Sequence, residues 1–204
     1  MKVFTLRCLY VSAISDLIET MGFETAIKKA FKWGFMMGHE EMIAFTKDIE
    51  KMKPFEDAPL VAQLAWYTGS GHFPTGIESR WETWNGYKIF ILRFWDNNCP
   101  WCKDVQLPSK KPICAYPIGA YEGAYQTSQT ILYNAGKLDI PRFSIAREVK
   151  CRAAGDDVCE YWVLDFPYKS EEELKNLFNI ARKKYPKLFE TIKPEYSLRL
   201  REEI

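Results

Sequence analysis

The sequence predicts an α+β fold: an antiparallel sheet with helices packed on it and a C-terminal helical appendage. Three observations carry this. Asn85-Gly86 joins two β-prone runs, I-E-S-R-W-E-T-W and Y-K-I-F-I-L-R-F-W, and a tight hairpin needs positive φ at both central residues. A second pair of β-prone runs, 143–152 and 158–166, is joined by A-A-G-D-D, where Gly155 can turn left-handed. The segments 8–50 and 115–135 repeat apolar residues at helical spacing instead.

In chain order, residues 8–21 and 23–50 read as two helices hinged at Gly22. The second carries Ala26, Ile27, Ala30, Phe31 and Gly34, with Gly38, Met42 and Phe45 continuing the stripe. Gly34 and Gly38, four apart, mark a face where another backbone can approach, in the core or at a dimer interface. Lys53-Pro54 ends the pair, and Pro59 suits the first turn of a short helix through Tyr67, stopped by Gly69 and Gly71. After the hairpin, whose near-continuous apolar run at 89–92 suits a strand covered on both faces, 96–113 reads as a polar loop holding C-P-W-C, Pro100, Pro108 and Pro112. In the helix 115–135, Gly119 and Gly123 allow close packing against the sheet. Beyond Pro167, Ser170 to Glu173 forms a capping box that opens a helix to Tyr185, and Pro186 and Pro194 divide a charged tail. We therefore divide the chain into a domain, 1–167, and a helical C-terminal extension, 168–204, that packs on the domain or on a partner.

Composition narrows the function. Acidic and basic residues nearly cancel at net +1 with no basic stripe, which gives nucleic-acid binding no support. No apolar run reaches the roughly 18 residues of a membrane span, and the N-terminal apolar stretch is broken by Arg7 and followed by Asp16, unlike a signal peptide. A cytoplasmic protein is expected. An aromatic share of 15% suits either a bulky core or a pocket whose ring faces hold a flat guest.

Six cysteines in 204 residues, gathered mostly between 99 and 159, read as metal or redox chemistry rather than a disulfide scaffold. Cys114, Glu148, Cys151 and Cys159 could complete a tetrahedral site for a borderline-soft cation. Glu148 and Cys151 are three apart and would face opposite ways on a regular strand, so that set requires a bulge near Lys150. Cys99 and Cys102 of C-P-W-C form a zinc half-site or a redox dithiol, and Cys99, Cys102, Cys151 and Cys159 would satisfy spacing equally well. The bland alternative makes these cysteines small buried hydrophobes.

The spacing E-x2-C-x7-C, with an upstream cysteine followed by glycines five and nine residues on, resembles the 4-vinyl reductase (hydrocarbon-binding) domain family. That family is related to the sensor domains of phenol-responsive transcription activators. W-G-F-M-M-G-H from Trp33, G-S-G-H from Gly69 and R-F-W-D-N-N from Arg93 extend the resemblance over roughly residues 25 to 165. It implies Zn²⁺ on Cys114, Glu148, Cys151 and Cys159, although the interval from Cys114 to Glu148 is longer here than in the phenol sensors. An ion with four protein ligands has no open position, so its expected role is structural. The resemblance further implies an aromatic cage in which His72 and Trp95 fix a polar atom of the guest, with Trp81, Phe90 and Phe94 as walls. The expected protein is a sensor or carrier of an aromatic or hydrocarbon-like ligand, homodimeric through the glycine-bearing helix and acting through a partner protein. An enzyme or enzyme subunit acting on such a compound is the alternative, but no nicotinamide or flavin fingerprint and no Ser or Cys triad supports it. Related TRAPP subunits allow a third, purely assembling role by fold analogy.

Overall fold

The computed structural model describes residues 3–105 and 110–203; Pro108 of the predicted loop lies outside them. Its elements are α1 (Val3–Met21), α2 (Phe23–Ala44), α3 (Thr46–Ile49), α4 (Ala58–Ser70), β1 (Gly76–Trp84), β2 (Tyr87–Asp96), α5 (Ala115–Asn134), β3 (Arg142–Lys150), β4 (Cys159–Pro167), α6 (Glu171–Lys184) and α7 (Pro194–Glu202). The strands form one antiparallel sheet in the order β1-β2-β4-β3. Asn85 and Gly86 take positive φ at 49° and 86°, the hairpin that the sequence specified.

Strand alternation assigns each side chain to one of two cores. Phe90, Leu92, Phe94, Tyr161 and Val163 face α2, α4 and α5. Ile89, Ile91, Phe143, Ile145, Leu164 and Phe166 face the other way, onto Leu174, Leu177, Phe178 and Ala181 of α6. Burial on both faces accounts for the apolar run in β2. The Ser170 hydroxyl caps α6 by accepting from the Glu173 amide at 3.2 Å, and Glu173 reaches back to the Lys169 amide at 2.8 Å. The extension then turns round the β3 edge, so that α7 meets α2 through Tyr196, which donates to the Lys28 carbonyl at 3.0 Å.

Two expectations are corrected. The helix predicted over 23–50 breaks at Phe45, where the Thr46 hydroxyl donates to the Ile43 carbonyl at 2.7 Å and competes with the helical ladder. Gly119 and Gly123 pack on α2 rather than on the sheet. A Cβ on either would lie 2.0 Å from the carbonyl oxygen of Phe31 or Phe35, and one on Gly34 or Gly38 would lie 1.9 or 2.0 Å from that of Tyr116 or Ala120. Both glycine pairs are thus spent on one α2–α5 crossing within the chain. A dimer would need another surface.

Candidate metal centre and the adjoining cavity

Four chain segments deliver the thiols. Cys99 and Cys102 lie on the turn after β2, where the Lys103 amide donates to the Cys99 carbonyl at 3.0 Å. Cys114 is the N-cap of α5. Cys151 follows the last pair of β3, and Cys159 opens β4. A 3₁₀ turn over Arg152–Ala154, ended by Gly155 at φ 103°, brings the last two together, and Asp156 pins it by accepting from the Cys151 amide at 2.8 Å. All five side chains are buried, whereas Cys8 is exposed on α1.

The required bulge is present: pairing shifts between Glu148 and Lys150, which turns Glu148 to the side of Cys151. Two sets of four donors each lie within 4.8 Å of one another, Cys99, Cys102, Cys114 and Cys159, and Cys114, Glu148, Cys151 and Cys159. Both share Cys114 and Cys159. Contacts between sulfurs are 3.8 Å for Cys99 and Cys114, 3.1 Å for Cys102 and Cys159, and 3.6 Å for Cys151 and Cys102. Cys99 and Cys102, read from spacing as a possible separate pair, are therefore part of the same group.

The chemistry of this group fits a cation. Glu148 Oε2 accepts from the Cys114 amide at 3.1 Å, but its Oε1 is buried with no partner. Burial pushes the Cys114 thiol and the Glu148 carboxyl up, while the hydrogen bond between Cys151 and Cys102 pulls Cys151 down. The guanidinium of Arg152 turns away and donates to the carbonyls of Asn97 and Asp157 at 3.0 and 2.8 Å. Four thiols within 4.8 Å can hold a borderline-soft ion such as Zn²⁺. Bound there, the ion would supply a cross-link between β2, α5 and the β3–β4 tip.

Beside the centre, a cavity of about 700 Å³ opens between α2, α4 and α5. It exists because facing helices present small residues: Ala58, Ala62, Ala65 and Gly69 on α4, and Ala120, Ala124 and Ser128 on α5. Trp66, Tyr121, Met37 and Leu132 supply much of the apolar wall, and exposed Glu40, Glu41 and Thr68 stand at the rim. Tyr121 ties α5 to α4 by donating to the Ala62 carbonyl at 2.7 Å. Trp101, between Cys99 and Cys102, and Tyr116, two residues after Cys114, line the cavity as well. The two features therefore share a wall.

None of His72, Trp95, Trp81, Phe90 and Phe94 lines this cavity. Phe94 and Trp95 are adjacent on β2 and so point to opposite faces. Trp95 lies beneath the Arg93 guanidinium, 5.0 Å from its ring centre, and Phe94 packs on Tyr121 and Tyr161. Trp81 packs on Phe55 and Phe90. His72 Nε2 pairs with buried Asp96 at 2.7 Å, and Asp96 also accepts from Trp66 Nε1 at 2.9 Å. The structure therefore does not gather the five into one cage. The signal for the cavity was the recurrence of small residues every three or four positions in two helices.

By sequence, the chain matches no protein-family model and no curated protein. Its fold is similar to solved structures. One is a trafficking protein particle complex subunit 3 from Naegleria fowleri covalently bound to palmitic acid, at 20% identity and TM-score 0.54, covering 83% of this chain and 98% of that one. Another is the phenol-responsive sensory domain of the transcription activator PoxR with phenol, at 17% identity and TM-score 0.48, covering 87% and 80%. The likeness to the Naegleria subunit establishes a distant relationship of fold alone, an α+β fold with a four-stranded antiparallel sheet flanked by helices. Among the described residues, no helix is long and apolar enough to cross a membrane.

Proposed function

We propose that this chain is a metal-stabilised module that binds an aromatic or hydrocarbon-like small molecule between α2, α4 and α5, and acts through a partner protein. One observation carries the reading: an apolar cavity of about 700 Å³ has Trp101, which directly precedes Cys102, in its wall. Ligand pockets commonly enclose about 300–1,000 Å³ and are lined mainly by apolar and aromatic groups. The similarly folded Naegleria subunit was crystallised with palmitic acid, a largely apolar molecule, attached. On this reading Zn²⁺ on the cysteine group fixes the wall, and a guest pressed against Trp101 and Tyr116 alters what the metal-bearing loop presents to the partner.

The test is thermal stabilisation of zinc-loaded protein by a panel of phenols, larger aromatics and long-chain acids. A guest at 100 times its Kd contributes about 2.7 kcal/mol, and Trp101 fluorescence should respond. Ala65→Trp, at an exposed position on the cavity wall, should abolish the stabilisation without lowering the melting temperature of free protein. Indifference of the wild type to every apolar compound would refute the reading.

A further inference from the structure

We infer that the cysteine group is built for two metal ions bridged by Cys114 and Cys159, rather than for one. The inference rests on the reading above that the group holds a cation, and concerns how many. One four-coordinate ion leaves two buried donors over, whichever set it takes. With Cys99, Cys102, Cys114 and Cys159 as ligands, Cys151 and Glu148 remain; with Cys114, Glu148, Cys151 and Cys159, Cys99 and Cys102 remain. Two tetrahedral ions that share an edge need six donors, and this group supplies six. The shared edge is already defined, because the two sets intersect in Cys114 and Cys159.

Charge and one of the three close sulfur spacings agree with that count, while Cys102 and Cys159, at 3.1 Å, must open to share an ion. Zinc at its usual bond length to sulfur holds two sulfurs about 3.8 Å apart, and Cys99 and Cys114 stand at 3.8 Å. Cys102 and Cys151, 3.6 Å apart, would be ligands of different ions, so they must separate on loading. One divalent ion cannot balance five thiolates and a carboxylate; a second removes two more negative charges from a site whose thiols are all buried. Glu148 completes the second ion's set, and its buried Oε1, without a partner in the protein, marks where polar compensation is missing.

Native mass spectrometry of the full chain, loaded with excess Zn²⁺ under reducing conditions and desalted, decides the count. Two retained ions are expected, falling to one in Cys151→Ser. A single ion in the wild type overturns the two-ion inference and leaves the one-ion reading standing; none at all removes both. Co²⁺ titration supplies a readout that needs no variant. Ions bridged by thiolate sulfur couple magnetically, so the moment per cobalt should fall as the second equivalent binds. Two uncoupled ions would mean separate sites and would also overturn the inference.

Discussion

Arg147 and Glu148 are neighbours on β3, yet they belong to two buried polar clusters with different solutions to the same problem. Arg147 turns round the sheet edge to pair with Glu122 of α5 and donates to the Ile192 carbonyl and the Ser197 hydroxyl, both at 2.8 Å. Glu148 turns towards thiols. Each cluster leaves one carboxylate oxygen without a partner, Glu122 Oε1 and Glu148 Oε1, so hydrogen-bond counting does not separate them. Charge does. Glu122 has a guanidinium from within the chain, whereas the hydrogen bonds of the cysteine group come from thiols, Tyr161 and backbone amides. Without a cation of its own, a buried group of thiols and a carboxyl can shed its protons only if one arrives from solution.

The comparison breaks most sharply under metal removal. A strong chelator under reducing conditions should lower the melting temperature by at least about 10 °C, which for a chain of this size is several kcal/mol. Adding Zn²⁺ should restore it, as followed by circular dichroism. No change would mean that protonation alone closes the cysteine group, as the arginine closes the other.

Next in size is Arg147→Met. Leaving Glu122 buried and uncompensated should cost about 3–5 kcal/mol in urea unfolding. Burial already raises the Glu122 carboxyl and lowers the Arg147 guanidinium, so the pair bears a desolvation penalty. Arg147→Met with Glu122→Leu should therefore recover most of the loss. Zinc content should stay unchanged in both variants.

Gly119→Ala tests whether the clusters share a spine. Gly119 lies on α5 between Cys114 and Glu122, and a Cβ there would stand 2.0 Å from the Phe31 carbonyl oxygen. Displacing α5 should cost about 2–3 kcal/mol and weaken metal retention as well, measured by competition with a chromophoric chelator. A loss of stability with metal affinity intact would separate them.

The smallest effect belongs to a half-buried counterpart. Burial alone would raise the Glu82 carboxyl, but hydrogen bonds from Lys184, Tyr185, Trp84 and Arg80 hold it down to about 2, from a usual 4.5. A depressed folded value means stability that is present above 4.5 and lost as pH falls towards 2. Glu82→Gln should cost about 1–2 kcal/mol at pH 7, discounted for solvent screening. Calorimetry against pH should show the gap to the wild type closing through that acid window.

Legibility in the sequence followed how local each cause was. Asn85-Gly86, Gly155 at the β3–β4 tip and the Ser170 cap act within a few residues and could be read directly. The bulge beside Lys150 was legible from chemistry, because Glu148 and Cys151 cannot share a strand face without one. That Cys99 and Cys102 join Cys114 and Cys159 depends on how far β2 carries its end turn towards the start of α5, which spacing does not encode. The cavity is hard to read for the opposite reason: its signal is small side chains at helical spacing, not large aromatic ones. Phe94 and Trp95 cannot wall one cage, because adjacent residues of a strand face opposite ways.

The side chains that α5 turns to the sheet have one more consequence. Glu122 accepts from the Ala146 amide at 2.7 Å and Gln126 donates to the Ser144 carbonyl at 2.8 Å. Both are backbone groups on the outward side of β3, so two side chains stand in for a fifth strand. Ribbon-wise growth of the sheet is blocked there. At its other margin, β1 sets Glu78, Arg80 and Glu82 in alternation along one face, a charged fringe that disfavours edge-to-edge stacking with another molecule.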